Sequence, residues 1–222
     1  MQFQQGVGVY KTNGDKLGSV ERVVLNPETR EITHVIIRQG SFLSPEDRVA
    51  PLQYIDSATE DRVVLRDHVQ DLDHLPLFEQ TYYVPFTPEA GDEMTAYQSG
   101  YAQPMLWYPP LAAPRRGHPA VSGLGTNKEP YLVQQEINIP EGTTALKEGA
   151  KVVAADGKHI GEIERVYADP DSDVATHFLI SKGLILKTNK LIPAEWAKTI
   201  AEDEVQLSVS SELIEQLPEY ED

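Results

Sequence analysis

The sequence predicts an all-β protein built from two small β-domains of the same kind. Three observations lead to this prediction: the chain repeats itself, turn residues divide each repeat into short apolar runs, and glycine and proline are frequent. The 222 residues include 15 Gly and 16 Pro, more than a helical bundle would carry, because both residues interrupt helices. A chain of this length accommodates two domains of modest size.

The repeat relates the two ends of the chain. Gly6–Leu43 aligns with Gly149–Leu186 at a constant offset of 143 residues, and after the loss of one residue the match continues at an offset of 142. It ends with Leu75–Glu79 over Leu217–Glu221. The identical residues include Gly14/Gly157, Gly18/Gly161, Glu21-Arg22-Val23/Glu164-Arg165-Val166, Pro27/Pro170, Thr33-His34/Thr176-His177 and Pro51/Pro193. Self-similarity over this length indicates one structural unit used twice.

The first repeat begins with a predicted hairpin. Asn13-Gly14 follows the apolar run Val7–Tyr10, and both central residues of a type I′ hairpin turn need positive φ, which Asn and Gly tolerate best. The next strand is expected at Leu17–Leu25, where Gly18 indicates a bulge or a close approach of two backbones. Asn26–Thr29, with Pro in second place, predicts the following turn.

Further strands are expected at Ile32–Arg38, up to Pro51, and around Val63–Leu65, before a helical turn within Asp67–Asp73. The corresponding elements of the second repeat are Lys151–Val153, Asp156-Gly157, Ile160–Ala168, Asp169–Ser172, Ala175–Lys182, Leu191–Pro193, Val205–Leu207 and Ser211–Gln216. Five or six short strands leave exposed sheet edges, and closure removes such edges. A small closed β-barrel that ends in a short helical turn is therefore predicted for each repeat.

The order of these signals resembles the PRC-barrel family. Both repeats show a Gly and an apolar strand, then Asp/Asn-Gly-x-x-Ile/Leu-Gly, Glu-x-Val, Asp/Asn-Pro, Thr-His and a strand-ending Pro. The family includes the cytoplasmic domain of the photosynthetic reaction-centre H subunit, the C-terminal domain of the 16S rRNA maturation factor and many stand-alone bacterial proteins. The resemblance implies a tandem, stand-alone member whose barrels bind other proteins or themselves and carry no cofactor.

Three segments are predicted along the chain. Residues 1–79 form the first domain, residues 80–130 form a Pro/Tyr-rich connector, and residues 131–222 form the second domain. Tyr131–Val133 and Glu136–Ile139 predict a lead-in strand at the start of that second domain.

The connector is the candidate partner-binding segment. It is long for a linker and poor in aliphatic residues, so it does not predict a third core. One interpretation is an extended segment that packs its aromatic side chains against the barrels or stays mobile. The other is a docking peptide, because Tyr, Trp, Pro and Arg are common anchors in recognition. The candidate anchors are Tyr82, Tyr83, Trp107, Tyr108, Arg115 and Arg116.

Charge and composition narrow the class of partner. The net charge is −16 and Cys is absent; nucleic-acid binding needs clustered Lys and Arg, so other proteins, or a second copy of this chain, are the expected partners. The N-terminal residues lack the pattern of a signal peptide, and no apolar stretch approaches the ~20 residues of a membrane helix. A cytoplasmic location is therefore expected.

No catalytic, metal-binding or cofactor-binding residue is predicted. The six histidines form no HxH or HxxxH pair, and nucleophile and phosphate-loop motifs are absent. His34 and His177 recur, which indicates either a strand position with a local hydrogen bond or a pH-sensitive contact. Within each repeated Glu-Arg pair, at 21–22 and 164–165, the two side chains point to opposite strand faces. These residues therefore predict cross-strand ion pairs on the surface. Glu60-Asp61, Asp169–Asp173 and Glu202–Glu204 are expected in solvated turns.

The leading functional hypothesis is a cytoplasmic, non-catalytic adaptor that binds another protein. The resemblance leaves three alternatives open: an accessory factor in ribosome assembly and 16S rRNA maturation, a photosynthetic or membrane-peripheral protein like the reaction-centre H subunit, and a protein that binds a small molecule.

Overall fold

The structure, a computed structural model, describes residues 1–41, 44–85, 106–107, 131–182 and 188–220. The chain divides into two compact units. The first unit joins Met1–Phe78, called copy 1 below, with Asn138–Asp222, called copy 2. The second unit is Glu79–Ile137. Both repeats therefore belong to the same compact unit.

Copy 1 is built around one sheet. The strands of copy 1 are β1 (Gln2–Gln4), β2 (Gly8–Tyr10), β3 (Lys16–Leu25), β4 (Ile32–Ser41), β5 (Ser44–Pro51), β6 (Ile55–Ala58) and β7 (Arg62–Leu65). Copy 1 contributes β2 to β7 to this sheet. The order β5-β4-β3-β2-β7-β6 is antiparallel except for the parallel pair β2 and β7. A short 3-10 helix, Leu52–Tyr54, follows the strand-ending Pro51 and leads into β6.

The predicted turn and glycine signals have clear physical roles in this sheet. Gly14 has a φ of 93° in the first hairpin, but Asn13 does not have a positive φ. Gly14 N–H donates to the Lys11 carbonyl (3.0 Å), so Thr12 and Asn13 are the central residues of the turn, and the prediction of a type I′ turn at Asn13-Gly14 is wrong. Asn26 Oδ1 accepts hydrogen bonds from the backbone N–H groups of Glu28 and Thr29 (2.8 and 3.1 Å) and so closes the second turn. A Cβ at Gly18 would lie 2.3 Å from the Arg38 carbonyl oxygen, which confirms the close backbone approach predicted there.

The second unit contains β8 (Glu79–Pro85), β9 (Leu106–Trp107) and β10 (Tyr131–Ile137). β10 pairs antiparallel with β8 along its whole length, from Tyr131 opposite Pro85 to Ile137 opposite Glu79. β9 pairs with the other edge of β10. We call β8, β9 and β10 the connector sheet. The strand predicted to lead into the second domain from residue 131 is present, but its partner is β8, which is formed by the first residues of the connector.

Copy 2 repeats the architecture of copy 1. Its strands are β11 (Thr144–Lys147), β12 (Lys151–Val153), β13 (His159–Ala168), β14 (Ala175–Lys182), β15 (Thr188–Pro193), β16 (Ala197–Ile200) and β17 (Glu204–Leu207). They follow the order β15-β14-β13-β12-β17-β16. Copy 2 ends in the short helix α1 (Ser211–Glu215), whereas copy 1 has hydrogen-bonded turns at the same place, from Leu75 N–H to the Leu72 carbonyl among others.

The prediction of an all-β chain with two small β-domains is confirmed, but the predicted barrel closure is not found. In the described residues no ladder joins the edge strands β5 and β6, nor β15 and β16. Backbone from the end of each copy covers the β5 and β15 edges instead. Phe78 N–H donates to the Asp47 carbonyl and Tyr220 N–H to the Asn189 carbonyl, both at 2.7 Å. These hydrogen bonds engage backbone groups at the β5 and β15 edges without closing either barrel.

The two copies exchange their first strands. β1 of copy 1 pairs with β13 of copy 2, and β11 of copy 2 pairs with β3 of copy 1. Phe3 lies opposite Val166, and Leu146 lies opposite Val23. The repeat places Phe3 over Leu146 and Val23 over Val166, so the two pairings are equivalent. Such reciprocal contacts are those of a twofold-related pair.

The turns after β3 and β13 also meet. Ile32 N–H donates to the Asp173 carbonyl (2.8 Å), and Ala175 N–H donates to the Arg30 carbonyl (2.9 Å). Arg30 and Asp173 both have positive φ, 64° and 58°. The equivalent residues Glu31 and Val174 form a bridge with each other, which places them at the approximate twofold axis.

One hydrophobic core runs through both copies. Buried residues of copy 1, such as Phe3, Val35 and Leu65, belong to the same cluster as Val152 and Phe178 of copy 2. A smaller cluster lies on the other face of β3 and β4, where Val24, Ile36 and Phe78 are buried together with Ala145 of copy 2. The copies therefore share their apolar interior.

Strand exchange makes a mutational prediction. Phe3→Ala empties a fully buried site and should lower the free energy of unfolding by about 3–5 kcal/mol. Ala168 N–H donates to the Met1 carbonyl across the β1–β13 pair (2.8 Å). In the Phe3→Ala variant we therefore expect the amide of Ala168, in copy 2, to exchange faster than the amide of its counterpart Leu25 in copy 1.

Gln5→Ala, at an exposed residue just beyond β1, is the control and should leave both amides protected. Unchanged protection of the Ala168 amide in Phe3→Ala would contradict the exchange.

Candidate functional site

The connector sheet carries the exposed apolar side chains of the candidate site. Tyr82 lies in β8 opposite Gln134 and is 44% exposed. Its hydroxyl donates to Gln80 Oε1 (2.5 Å), two residues earlier on the same strand face. Ile137 at the end of β10 is 51% exposed, and its register places it on the opposite face. Both faces of the sheet therefore present a large side chain to solvent.

The structure places part of the predicted anchor set on this sheet. Tyr83 lies in β8 opposite Val133, and Trp107 lies in β9 opposite Tyr131. Because β8 and β9 flank β10, Tyr83 and Trp107 belong to opposite edge strands. The other predicted anchors, Tyr108, Arg115 and Arg116, lie outside the described residues. Ile137 was not among the predicted anchors, since the sequence treats it as part of a lead-in strand.

Arginines repeated in the sequence bind the other copy. Arg22 Nη1 of copy 1 pairs with Glu202 Oε1 of copy 2, and Arg165 Nη2 of copy 2 pairs with Glu60 Oε1 of copy 1 (3.4 Å). The four residues are equivalent in pairs, so these ion pairs obey the same twofold relation as the strands. The sequence predicts Glu60 and Glu202 in solvated turns, and both are exposed residues of bends; in addition, each pairs with an arginine of the other copy.

The prediction of cross-strand ion pairs is confirmed for the neighbouring glutamate of copy 1. Glu21 on β3 lies 3.0 Å from Arg38 on β4, measured from Oε1 to Nη2. Arg38 also makes a two-point contact with Asp47 on β5, with both distances 2.8 Å. These carboxylates raise the pKa of Arg38, with the Asp47 hydrogen bond as the main cause. The three residues connect neighbouring strands of one sheet.

Arg165 is the more deeply enclosed of the two repeated arginines, with 4% of the residue exposed. Its Nε and Nη2 donate to Gln4 Oε1 of copy 1 (3.1 and 2.9 Å), and its Nη1 donates to the Tyr167 hydroxyl (3.1 Å). The Tyr167 and Tyr220 hydroxyls are 3.4 Å apart. Burial, followed by the hydrogen bond with Tyr220, raises the pKa of Tyr167 to about 12.

The equivalent arginine of copy 1 has a different neighbour. Arg22 lies over the Phe78 ring, with the guanidinium carbon 5.0 Å from the ring centroid, a cation–π contact. Phe78 corresponds to Tyr220, and Val24 corresponds to Tyr167. Copy 2 therefore has two tyrosine hydroxyls where copy 1 has an apolar cluster. The twofold relation between the copies does not hold for these side chains.

The repeated histidines lie at equivalent strand positions. His34 lies on β4 opposite Val24 and Pro51, and His177 lies on β14 opposite Tyr167 and Pro193. The Nδ1 atom of His34 is buried and has no hydrogen-bond partner among the described residues, so this atom does not make the local hydrogen bond expected from the sequence. Burial lowers the pKa of His34 below its ordinary value of 6.5.

Metal binding and membrane crossing are two further properties on which the described residues bear. In the ranges that the structure describes, no three His, Asp or Glu side chains converge as a metal site requires. In the same ranges, no helix has the length and apolar character needed to cross a membrane.

Comparison with protein families identifies the class of protein. The PRC-barrel domain model matches residues 5–72 and residues 148–214. The matched segments contain β2 to β7 and β12 to β17 and together cover more than half of the chain, whereas β1 and β11 lie outside them. The chain belongs to the PRC-barrel domain family, in which it carries two copies of the domain. No curated protein matches it in a search by sequence.

The half-buried His34 predicts a pH dependence. A histidine whose pKa is lowered by folding binds fewer protons when folded than when unfolded, so folding stability rises with pH. Its contribution is complete above pH 6.5 and is lost as the pH falls from 6.5 toward the lowered pKa. Wild type should therefore lose stability on acidification more steeply than His34→Gln, by at most about 1.4 kcal/mol per pH unit.

Urea titrations at a series of pH values measure this difference, and carboxylates common to both proteins cancel in it. Parallel stability profiles for wild type and variant would refute the assignment.

Proposed function

We propose that the protein is a non-catalytic adaptor, in which the connector sheet binds a partner protein and the interlocked copies serve as its scaffold. The observation that carries the proposal is the distribution of exposed apolar side chains. Within the described residues, the large hydrophobic side chains that remain exposed are Tyr82, Ile137 and Leu213. Two of these three belong to the connector sheet, and exposed aromatic and aliphatic side chains commonly anchor protein interfaces.

The repeated residues support a structural role for the copies. Gly18 permits close packing of two backbones, Asn26 closes a turn, and the pair Arg22 and Arg165 joins the copies. Each of these positions is engaged within the fold in copy 1 or between the copies. The connector has no counterpart in the repeat, so selection for a specific partner can act on it without changing the scaffold.

Charge favours a particular kind of partner surface. The chain carries a net charge of −16, and a potential of one sign attracts a complementary surface and raises the rate of association. A basic protein surface with an apolar pocket is therefore the expected partner of the connector sheet.

Site-specific photo-crosslinking in the cells that produce the protein tests this proposal. A photoreactive amino acid at residue 82 or residue 137 should form a crosslink to one defined protein, and the same residue at position 213 should not. Leu213 is the matched control because it is 42% exposed and lies on copy 2.

The purified partner should then bind the wild-type chain and lose affinity by roughly tenfold or more with Tyr82→Ser or Ile137→Ser, a loss of about 1.4 kcal/mol. Leu213→Ser should bind as wild type does. Equal crosslinking from all three positions, or equal affinity of all variants, would contradict a binding role for the connector sheet.

A further inference from the structure

The approximate twofold relation between the copies is broken at one surface. A cleft of ≈ 330 Å³ lies where the start of copy 1 meets copy 2, with Gln2 and Thr59 on one side and Tyr167, His177 and Leu191 on the other. It adjoins the exchanged strand β1 and is thus continuous with the contact between the copies.

The equivalent surface on the other side of the molecule is covered by the chain itself. The counterparts of Gln2, Tyr167 and Leu191 are Ala145, Val24 and Val49. These three residues are buried in one cluster with Phe78, and Ile139 packs against that cluster. The side chain of Ile139, at the start of copy 2, therefore covers this surface of copy 1.

Backbone hydrogen bonds fix the covering segment. Asn138 N–H donates to the Phe78 carbonyl (2.9 Å), and Asn138 Nδ2 donates to the Leu77 carbonyl (2.8 Å). Ile139 follows directly and packs beside them. The segment thus binds through an extended backbone, one side-chain amide and one branched aliphatic side chain, which is a common mode of peptide recognition.

Copy 2 has the same backbone arrangement at its end. Tyr220, the counterpart of Phe78, donates its N–H to Asn189 at 2.7 Å, as Phe78 does to Asp47. The carbonyl groups of Glu219 and Tyr220 therefore correspond to the acceptors that hold Asn138. Tyr167 is larger than Val24, but its hydroxyl is held by Arg165 (3.1 Å), so its ring forms a wall of the cleft beside Leu191 and His177.

We propose that the cleft between Gln2, Thr59, Tyr167, His177 and Leu191 binds an extended peptide of a partner protein that carries a branched aliphatic residue after an asparagine. The chain's own Asn138-Ile139-Pro140 segment, seated on the equivalent surface, defines the chemistry of this peptide. The residues that line the cleft do not belong to the connector sheet, so the proposal does not rest on Tyr82 or Ile137.

The probe is a synthetic peptide with the sequence of residues 135–143, added to the full-length, isotope-labelled protein and followed by NMR. Saturable shifts are expected at Tyr167, Thr176 and His177. Thr59→Arg, which places a long side chain at the mouth of the cleft, should weaken binding by about tenfold or more. Ala201→Arg, the equivalent change on the covered side at another exposed residue, should bind the peptide as wild type does.

A second variant and a second peptide guard the test against misfolding. Thr176→Arg, at an exposed residue of the cleft lining, should weaken binding in the same way, and a peptide with Asp in place of Ile139 should not bind. The absence of shifts at millimolar peptide would overturn the proposal. Shifts that persist in both cleft variants, or that map to Val24 and Val49, would also overturn it.

Discussion

The exchange of β1 and β11 is the constraint on which the rest of the molecule depends. Each copy lacks one strand that only the other copy supplies, and Phe3 and Leu146 carry apolar side chains from those strands into the shared core. The turn pairing at Glu31 and Val174 and the ion pairs of Arg22 and Arg165 follow the same twofold relation. Ion pairs at partly exposed positions contribute little free energy by themselves. Burial of apolar surface therefore dominates the association, and the polar contacts fix its geometry.

This arrangement determines where specific binding surfaces arise. Some residues repeated in both copies serve the packing within one copy, as Gly18 does, and others serve the contact between the copies, as Arg165 does with Gln4 and Glu60. Surfaces that differ between the copies are free to acquire their own partners. The connector sheet has no counterpart in the repeat, and the cleft beside Tyr167 has a covered counterpart beside Val24. The two proposed binding surfaces are thus the places where the internal symmetry ends.

The sequence predicted what depends on local geometry. Gly14 supports its turn through a positive φ, and Asn26-Pro27 supports its own through the hydrogen bonds of the Asn26 side chain and the fixed φ of proline. The repeat made each assignment twice. The partners of β1 and β11 are more than a hundred residues distant, and nothing in three-residue or four-residue strands specifies a partner so far away. The pairing of Arg22 with Glu202 had a signal, because both residues and both counterparts recur at fixed offsets. Tyr82 was predicted as a binding anchor from its residue type. To predict Ile137 as an anchor, one would need to know that β10 pairs with β8.

Cooperativity of unfolding tests most directly whether the two copies are one structural unit. Native-state hydrogen exchange at rising urea concentration reports the opening free energy of core amides in β4 of copy 1 and β14 of copy 2. If the copies depend on each other, these amides converge on one global unfolding reaction with a single free energy and a single urea dependence. Two separate unfolding reactions, in which β14 loses protection while β4 keeps its own, would contradict the account.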